Sequence, residues 1–196
     1  INPNKNEYIG NREAKFQAGL NSSMNIYGVQ FSFLFDGRYG GDVLNVTGLN
    51  LISSGNHNVL GKYRCRQVVF NGVKERTDEN GNVYYVENTS PITLNQTNII
   101  NYFYQVSSNF VEDGSYLRLS YVTLGYDFAK LMKNQKVFKS LKANFTCNNV
   151  FLLTKYIGSD PVCNASTGQG GTGSAGIDNT PVPSTRSYNL SLTASF

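Results

Sequence analysis

A phenylalanine-rich alternating pattern occupies residues 28–38, which read GVQFSFLFDGR. The apolar side chains of this stretch recur at every second position, at Val29, Phe31, Phe33 and Phe35. Successive side chains of a β-strand point to opposite faces, so this spacing predicts a strand with one apolar and one polar face.

Four other segments show the same alternation, at 13–24, 115–127, 140–153 and 185–196. In 115–127 the parity of the apolar positions changes between Leu119 and Val122, which predicts a β-bulge near Ser120 or Tyr121. All five segments are longer than the strands of about 5–6 residues that are usual in soluble sheets. They reach the roughly 9–11 residues that a tilted strand needs to cross a bilayer. The pattern therefore predicts an all-β fold, namely a segment of an antiparallel transmembrane β-barrel.

The connections between these segments alternate between short and long. Only residues 25–27 separate the first two segments, which predicts a tight hairpin turn, and residues 128–139 form a modest connection. The connections 39–114 and 154–184 are much longer. Transmembrane β-barrels combine short periplasmic turns with long extracellular loops, so we expect 39–114 and 154–184 to be extracellular.

The composition excludes several classes of protein. The chain has 196 residues, of which 40% are hydrophobic and 15% are charged, and its formal net charge is +4. This hydrophobic fraction is too high for a disordered chain, and the charge is too small and too dispersed for a nucleic-acid-binding protein. No stretch approaches the run of about 18 apolar residues that a transmembrane helix needs.

The two ends of the chain predict a portion of a longer precursor. The chain opens on INPNKNEY, which has no signal-peptide pattern, and it closes on Phe196 at the end of a strand-like segment. Five strands cannot close a barrel around a lumen, because about eight strands enclose only their own side chains. We therefore expect the remainder of the barrel, as part of the same precursor or as a separate chain, to be a partner of these strands.

Four blocks of the sequence resemble the SusC/RagA family of TonB-linked outer-membrane proteins. The blocks follow the order seen in that family and are 35–43 (FDGRYGGDV), 113–126 (with DGSYLRL and TLGY), 149–161 (with NVF, TKY and GSDP) and 183–188 (PSTRSY). The middle of the first long connection, at about 44–110, matches no block of the family.

The resemblance implies a plugged barrel of about 22 strands, of which this chain would supply the last five. Members of the family import oligosaccharides or peptides across the outer membrane of Bacteroidetes, together with a SusD-like surface lipoprotein and with energy from TonB–ExbB–ExbD. The resemblance also marks Asp36, Arg38, Asp42 and Asp160 as loop residues of the family motifs. The plug and the TonB box would lie outside this chain, and neither a cofactor nor an enzymatic activity is implied.

Several further residues are candidates for specific roles. Tyr188, Leu190, Leu192 and Phe196 form the apolar face of the last segment and resemble the C-terminal signal read by the outer-membrane assembly machinery. Three cations occupy candidate lumen positions, where they would contact the plug or passing substrate or would simply line a solvated wall: Lys15, Arg118 and Lys142. Aromatic residues near strand ends predict interfacial girdles: Tyr27, Tyr126, Phe128, Phe151 and Tyr188.

Other local motifs favour structural interpretations. Residues 168–173 (GQGGTG) match the dinucleotide-binding pattern, but they lie in a Gly/Ser/Thr-rich stretch and predict a surface loop. The acidic Asp78-Glu79 pair precedes Asn80-Gly81, which predicts a hairpin turn rather than a calcium site.

The sequence offers no catalytic or metal-binding constellation. His57 is the only histidine, and Glu112 and Asp113 are adjacent, so that on a strand they would face opposite sides. The three cysteines are far apart and permit at most one disulfide: Cys65, Cys147 and Cys163.

Two other classes remain open at this stage. A soluble β-sandwich that binds glycans would also show period-2 alternation, but it would bury its apolar face and dissolve without detergent. A surface-associated glycosidase is disfavoured because it needs two carboxylates facing one substrate.

Overall fold

The computed structural model describes residues 7–128, 140–162 and 175–195. The chain forms two compact units, one of Gly10–Asn45 with Val111–Phe196 and the other of Ile1–Ile9 with Val46–Phe110. In chain order, the strands of the described residues are β1 (Phe16–Ile26), β2 (Val29–Tyr39), β3 (Asp42–Asn45), β4 (Gln67–Val68), β5 (Val73–Thr77), β6 (Val83–Glu87), β7 (Ile92–Thr93), β8 (Val111–Asp113), β9 (Tyr116–Asp127), β10 (Ser140–Thr154), β11 (Ile177–Asp178) and β12 (Ser187–Ser195). The helical segments are α1 (Val46–Ser53), α2 (Leu60–Tyr63), α3 (Gln96–Asn98), a π-helical segment (Ile99–Tyr104) and a 3-10 turn (Ser107–Phe110). Among these residues, each helix is too short or too polar to cross a membrane.

A five-stranded antiparallel sheet in the order β1-β2-β9-β10-β12 is the main element of the first unit. These strands coincide with the five predicted segments, and the largest difference is at the start of β1, which begins at Phe16 rather than at residue 13. Each long strand pairs with the long strand that precedes it in the sequence, so the sheet is an up-and-down meander.

The hairpin between β1 and β2 turns at Tyr27 and Gly28, and the prediction of a turn at residues 25–27 was wrong by one residue. Ile26 pairs with Val29, and Tyr27 and Gly28 have φ angles of 54° and 93°. Two successive residues with positive φ are typical of a type I′ turn, whose twist matches that of the strands. The apolar–polar alternation of β1 continues through Ile26. The chain reverses at Gly28 because glycine adopts a positive φ without steric cost.

The predicted β-bulge is present at Ser120. Opposite β2, the register of β9 shifts by one residue between Leu34 and Phe35, and Ser120 has no cross-strand partner there. A compensating irregularity occurs in β10 between Asn148 and Phe151. The bulge explains the change of parity in the sequence, because it keeps the apolar residues of both halves of β9 on the same face.

One face of this sheet is apolar across all five strands. Cross-strand partners on this face include the pairs Leu20 with Phe35, Phe33 with Val122, Leu124 with Phe145 and Phe145 with Leu190. Phe31, Phe33 and Phe35 are half-buried, whereas Phe145 is 45% exposed and Leu190 is 72% exposed. The described residues therefore leave much of the apolar face uncovered.

Three short strands, β11, β3 and β8, form a second sheet in the same unit. β3 and β8 are antiparallel, but β11 is parallel to β3, which departs from the predicted purely antiparallel pairing. Val43 is fully buried with Tyr156, and the Tyr156 hydroxyl donates a hydrogen bond to the buried carboxylate of Asp178. This small core fixes the segment after β10 beside the segment after β2.

The second unit contains the helical segments and a β-hairpin. Its core consists of buried apolar side chains, among them Ile52, Leu60, Leu94, Ile99 and Phe110. The first long connection of the sequence is thus folded in its middle, although no family block resembles it.

The predicted hairpin around Asn80-Gly81 is confirmed, since β5 and β6 pair antiparallel on either side of it. The Asp78 carboxylate accepts hydrogen bonds from the backbone N–H of Asn80 at 2.9 Å and of Asn82 at 2.8 Å. Two hydrogen bonds donated by Asn82 lower the pKa of Asp78, and the one from its side-chain amide has the larger effect. The carboxylate serves the turn itself, as expected for an Asx-type turn.

Candidate functional site

A cluster of four charged side chains and one tyrosine lies on the polar face of the five-stranded sheet, at the end opposite to the β1–β2 turn. We call it the arginine cluster, and its members are Asp36, Arg38, Tyr116, Arg118 and Asp160. Across the β2–β9 pairing, Asp36 is opposite Arg118 and Arg38 is opposite Tyr116. Because residues two apart in a strand share a face, the strand pattern alone places these four side chains on the polar side.

Arg118 and Asp160 form the central ion pair of the arginine cluster. Nη2 of Arg118 donates to both carboxylate oxygens of Asp160, at 2.7 and 2.9 Å. The two side chains are 16% and 7% exposed, so the pair is largely removed from water. Asp160 also accepts the N–H of Val162 at 2.9 Å and the hydroxyl of Ser184. The pair therefore attaches the segment after β10 to β9.

Tyr116 lies within cation–π distance of two guanidinium groups. The Cζ atoms of Arg38 and Arg118 are 5.8 and 5.3 Å from the centroid of its ring, inside the range of about 6 Å for this interaction. Arg38 donates from Nε and Nη2 to the carbonyl of Gly114 at 3.1 and 2.9 Å, and its Nη2 lies 3.4 Å from the carbonyl of Pro161. Arg38 thus joins the start of β9 to the same outer segment that Asp160 anchors.

Arg118 retains one unused donor. Its Nε–H is buried and has no hydrogen-bond partner within the described residues. Buried donors are nearly always paired in folded proteins, and leaving one unpaired costs about 1–3 kcal/mol. The Nε–H of Arg118 can therefore donate one further hydrogen bond to an oxygen atom of a ligand or of another part of the protein.

The β-bulge contributes to this site as well. The hydroxyl of Ser120, the extra residue of the bulge, donates to the carboxylate of Asp36. The sequence predicted the bulge and named Asp36, but it did not indicate that they meet. Tyr116, Ser120 and Ser184 were not predicted as site residues, and for Tyr116 the available signal is its shared parity with Arg118.

The arginine cluster brings together four of the seven charged residues that the sequence singled out. Asp36 and Arg38 belong to β2 itself rather than to a loop. Asp42 lies in β3, where its carboxylate accepts the N–H of Asn11 at 2.7 Å.

The other two cations are elsewhere on the sheet. Lys15 precedes β1, and its Nζ lies 5.5 Å from the centroid of the Tyr39 ring. Lys142 is at the opposite end, with its Nζ 3.5 Å from Asp127, and both of these side chains are exposed by more than a third. Only Arg118 of the three candidate lumen cations therefore belongs to the arginine cluster.

The residues of the candidate assembly signal lie on the edge strand β12. Tyr188, Leu190 and Leu192 are all strongly exposed on the apolar face. Phe145 of β10 stacks on Tyr188 with ring centroids 6.3 Å apart. Phe196 lies outside the described residues.

Two residues that the sequence analysis considered for catalysis, His57 and Glu112, form local hydrogen bonds instead. Nδ1 of His57 accepts the N–H of Val59 at 3.2 Å, and Glu112 accepts hydrogen bonds from Asn45 and Ile157, both at 2.8 Å. Across residues 7–128, 140–162 and 175–195, the His, Cys, Asp and Glu side chains form no group of three that would hold a metal ion.

Two of the predicted features cannot be placed. The glycine-rich stretch 168–173 and Cys163 lie outside the described residues. Of the other two cysteines, Cys65 is exposed and Cys147 is partly buried on the apolar face, and both are free thiols.

Comparison with known proteins identifies relatives over most of the chain. No protein-family model matches it. It is 23% identical over 195 residues, 96% of the chain, to TonB-dependent receptor P3 of Formosa agariphila, and this match spans 17% of that protein. It is also 32% identical over 93 residues, 46% of the chain, to TonB-dependent receptor SusC of Bacteroides thetaiotaomicron, which corresponds to 8% of that protein.

Solved structures give the same result for the fold. The chain is similar to structures of the RagAB peptide importer in the open-open state (TM-score 0.55, 18% identity) and in the closed-closed state (TM-score 0.57, 16% identity). Each match covers 92% of this chain and 17% of the solved chain. The resemblance predicted from the sequence is thus confirmed, and the chain spans about one sixth of the length of its first relatives.

Proposed function

We propose that this relative of TonB-dependent receptors forms part of the β-barrel wall of an outer-membrane importer. The whole importer would take up oligosaccharides or peptides together with a SusD-like surface lipoprotein, using energy from TonB–ExbB–ExbD. This chain would contribute the last five strands and the extracellular segments 39–114 and 154–184, while other parts of the protein would supply the plug and the rest of the barrel.

The observation that carries this proposal is the uncovered apolar face of the five-stranded sheet. Exposing a large apolar side chain to water instead of burying it costs about 1.5–3 kcal/mol, and this face continues across five adjacent strands. A soluble sandwich would cover such a face with a second sheet. Acyl chains would cover it in a membrane, where the backbone groups of each strand must be paired with those of neighbouring strands.

The lengths and connections of the strands support the same proposal. The five strands have 11, 11, 12, 15 and 9 residues, which suits tilted strands that cross a hydrocarbon layer. A two-residue turn joins β1 and β2 at one end, whereas the long segments leave the sheet at the other end. This asymmetry is typical of outer-membrane barrels.

The two edge strands fit this role. Within the described residues, β1 pairs only with β2 and β12 pairs only with β10. In a membrane their outer backbone groups must also be paired, and we propose that the remaining strands of the barrel pair with both. The apolar residues Tyr188, Leu190, Leu192 and Phe196 of the last segment would act as the assembly signal before this edge is closed.

Aromatic side chains support the proposed orientation. Tyr27 at the β1–β2 turn is 92% exposed, and Tyr126 packs edge-to-face on Phe128 with ring centroids 4.7 Å apart. Tyr126 is opposite Val29, so these rings lie at the turn end of the sheet. We propose that they form the girdle at the periplasmic interface.

In this arrangement the arginine cluster would lie on the lumen side of the extracellular end. Arg118 and Asp160 would hold the outer segment 155–162 against the inner wall, at the height where substrate enters. The unused Nε–H of Arg118 would face an oxygen of the plug or of a substrate. The proposal assigns no catalytic role to any of these residues.

Fractionation of cells that produce the intact protein tests this function. We expect the protein in the outer-membrane fraction, resistant to extraction by salt and released by detergent, together with a surface lipoprotein. Recovery of the protein from the aqueous fraction as a monomer that needs no detergent would favour the soluble glycan-binding sandwich instead.

A further inference from the structure

The β5–β6 hairpin of the second unit has two open edges. Its strands form a sheet of their own among the described residues. The N–H of Asn88 donates to the carbonyl of Gly72 at 2.9 Å, and the N–H of Asp78 donates to the carbonyl of Asn82 at 3.0 Å. Because hydrogen-bonded and non-hydrogen-bonded pairs alternate along an antiparallel ladder, the even-numbered residues direct their backbone groups inward. The backbone groups of the odd-numbered residues therefore point outward.

The outward backbone groups of β6 are unpaired. They belong to Val83, Tyr85 and Glu87, whose N–H and carbonyl groups form no hydrogen bond within the described part of the chain. The side chains leave this edge accessible, since Val83 is 52% exposed and Tyr85 is 64% exposed. An isolated two-stranded hairpin is only marginally stable in water, and a third strand adds to its stability. A strand that pairs with β6 would thus satisfy these groups and stabilise the hairpin.

The two edges of the hairpin differ in charge. β5 carries three successive charged residues, Lys74, Glu75 and Arg76. Charged side chains of this kind protect natural sheet edges against an added strand. Residues Val83–Val86 of β6 have the sequence VYYV, which is uncharged and consists of residue types that favour strands. The edge of β6, and not that of β5, is therefore the one that suits strand addition.

One face of the hairpin is acidic. Glu75 is the cross-strand partner of Tyr85, and Glu87 is the partner of Val73. Because residues two apart in a strand share a face, both carboxylates lie on the face that carries Tyr85, whereas the two cations of β5 lie on the other face. A strand added beside β6 would therefore pair best if it placed a cation opposite Glu87.

We propose that the edge of β6 binds a free, extended peptide as a third, antiparallel strand. The outward groups of β6 repeat about every 6.8 Å, which is twice the rise per residue of an antiparallel strand. A polypeptide in the same extended conformation matches this repeat of donors and acceptors, and an oligosaccharide does not. The bound peptide would have a lysine or arginine opposite Glu87 and apolar residues opposite Tyr85 and Val83. Its sequence pattern would be cation-x-apolar-x-apolar, because an antiparallel strand meets Glu87 first.

The source of the peptide rests on the proposed function, in which the segment 39–114 is extracellular and meets molecules before they are imported. The bound peptide would then be cargo of the importer. The strand addition itself requires only the hairpin. A second copy of the chain suits this edge less well, because pairing of β6 with itself would bring Glu75 and Glu87 of both copies onto one face, where like charges repel.

Fluorescence anisotropy of a labelled peptide, Lys-Thr-Val-Thr-Val, titrated with the intact, detergent-purified protein tests the site. We expect saturable binding, and the peptide Glu-Thr-Val-Thr-Val should bind roughly tenfold more weakly, because opposite charges across two strands favour pairing and like charges oppose it. Glu87→Lys should reverse this preference. The matched control Glu79→Lys makes the same charge change in the turn, outside β6, and should leave the preference unchanged.

Two methylated peptides test the backbone contacts without altering the protein. In the proposed register the first valine of Lys-Thr-Val-Thr-Val lies opposite Tyr85, and its N–H donates to the carbonyl of that residue. Methylation of this nitrogen should abolish binding. The N–H of the second threonine points away from β6, so methylation there should leave most of the affinity.

Several results would overturn the peptide site. The absence of saturable binding, equal effects of the two methylations, or equal effects of Glu87→Lys and Glu79→Lys would exclude strand addition at β6. Loss of peptide binding when the surface lipoprotein is bound would assign the edge to the lipoprotein instead. An outer-membrane protein that binds no peptide retains the proposed importer and loses this site, whereas recovery of the protein from the aqueous fraction refutes the importer whatever its affinity for peptides.

Discussion

Replacing Arg118 by Gln should release the segment that follows β10 from the sheet. Arg118 supplies two of the four hydrogen bonds that the Asp160 carboxylate accepts, and the other two come from Val162 and Ser184. Removing one partner of a buried ion pair costs about 3–5 kcal/mol, because the remaining charge loses its compensation. Since Asp160 keeps two donors and Arg118 is 16% exposed, we expect the lower end of this range, about 3 kcal/mol.

Hydrogen exchange of the backbone amides measures this loss locally. Val162 donates its N–H to the same Asp160 carboxylate that Arg118 binds, so its amide reports on whether this carboxylate stays fixed when Arg118 is removed. A local cost of about 3 kcal/mol corresponds to about 150-fold faster exchange when exchange occurs by local opening. Asp160→Asn should also accelerate exchange in the segment, because it leaves the Arg118 guanidinium without a carboxylate.

The matched control is Lys142→Gln, which breaks the exposed pair with Asp127. Such exposed pairs contribute about 0–1 kcal/mol, so exchange near Asp127 should change less than about fivefold. Arg118→Lys retains the charge and should recover part of the protection. If Arg118→Gln accelerated exchange at Val162 no more than Lys142→Gln does at its own site, the ion pair would not anchor the segment and the reasoning would fail.

Three other predictions concern the sheet, the turn and the pH dependence. Phe33 would lie near the middle of the bilayer, so in lipid vesicles Phe33→Arg should lower the free energy of unfolding by about 2–4 kcal/mol. Ser32→Arg on the polar face should lower it much less, and equal losses in urea titrations of the two variants would contradict the assignment of faces. Gly28→Val places a β-branched residue at φ 93°, so it should lower the unfolding free energy by about 1–3 kcal/mol, and an unchanged urea midpoint would refute the turn geometry. Hydrogen bonds from Ser115 lower the pKa of Asp113, so this carboxylate stabilises the folded state above its unfolded pKa of about 3.9. The contribution is lost as the pH falls through the lower folded pKa of Asp113, and Ser115→Ala should therefore reduce the loss of stability below a pH of about 4. Identical acid titrations of the unfolding free energy for the wild-type protein and Ser115→Ala would exclude the effect.

The five long strands follow from the sequence because their alternation is strong and uninterrupted. Even the bulge at Ser120 is visible as a change in parity between Leu119 and Val122. The predicted position of the β1–β2 turn was wrong by one residue because the alternation continues through Ile26. Only the backbone geometry of Tyr27 and Gly28 identifies where the chain reverses.

The arginine cluster was only partly predictable. Asp36, Arg38 and Arg118 share the polar face by parity, so the strand register brings them together. Asp160 joins them through a segment with no periodicity, and its contact with Arg118 joins positions 42 residues apart. The short strands β3, β8 and β11 were also missed, since two to four residues are too few to show a period.

Accessibility of β2 to small paramagnetic reagents tests most directly whether the apolar face contacts lipid. Single cysteines would be introduced at positions 29–38 of a variant without native cysteines, spin-labelled, and examined in lipid vesicles by electron paramagnetic resonance. We expect oxygen, which dissolves in lipid, to reach the labels at the odd positions Val29, Phe31, Phe33 and Phe35, and a water-soluble nickel complex to reach the labels at the even positions. If the odd positions were closed to both reagents, the phenylalanines would lie inside a soluble protein and the proposed barrel wall would be wrong.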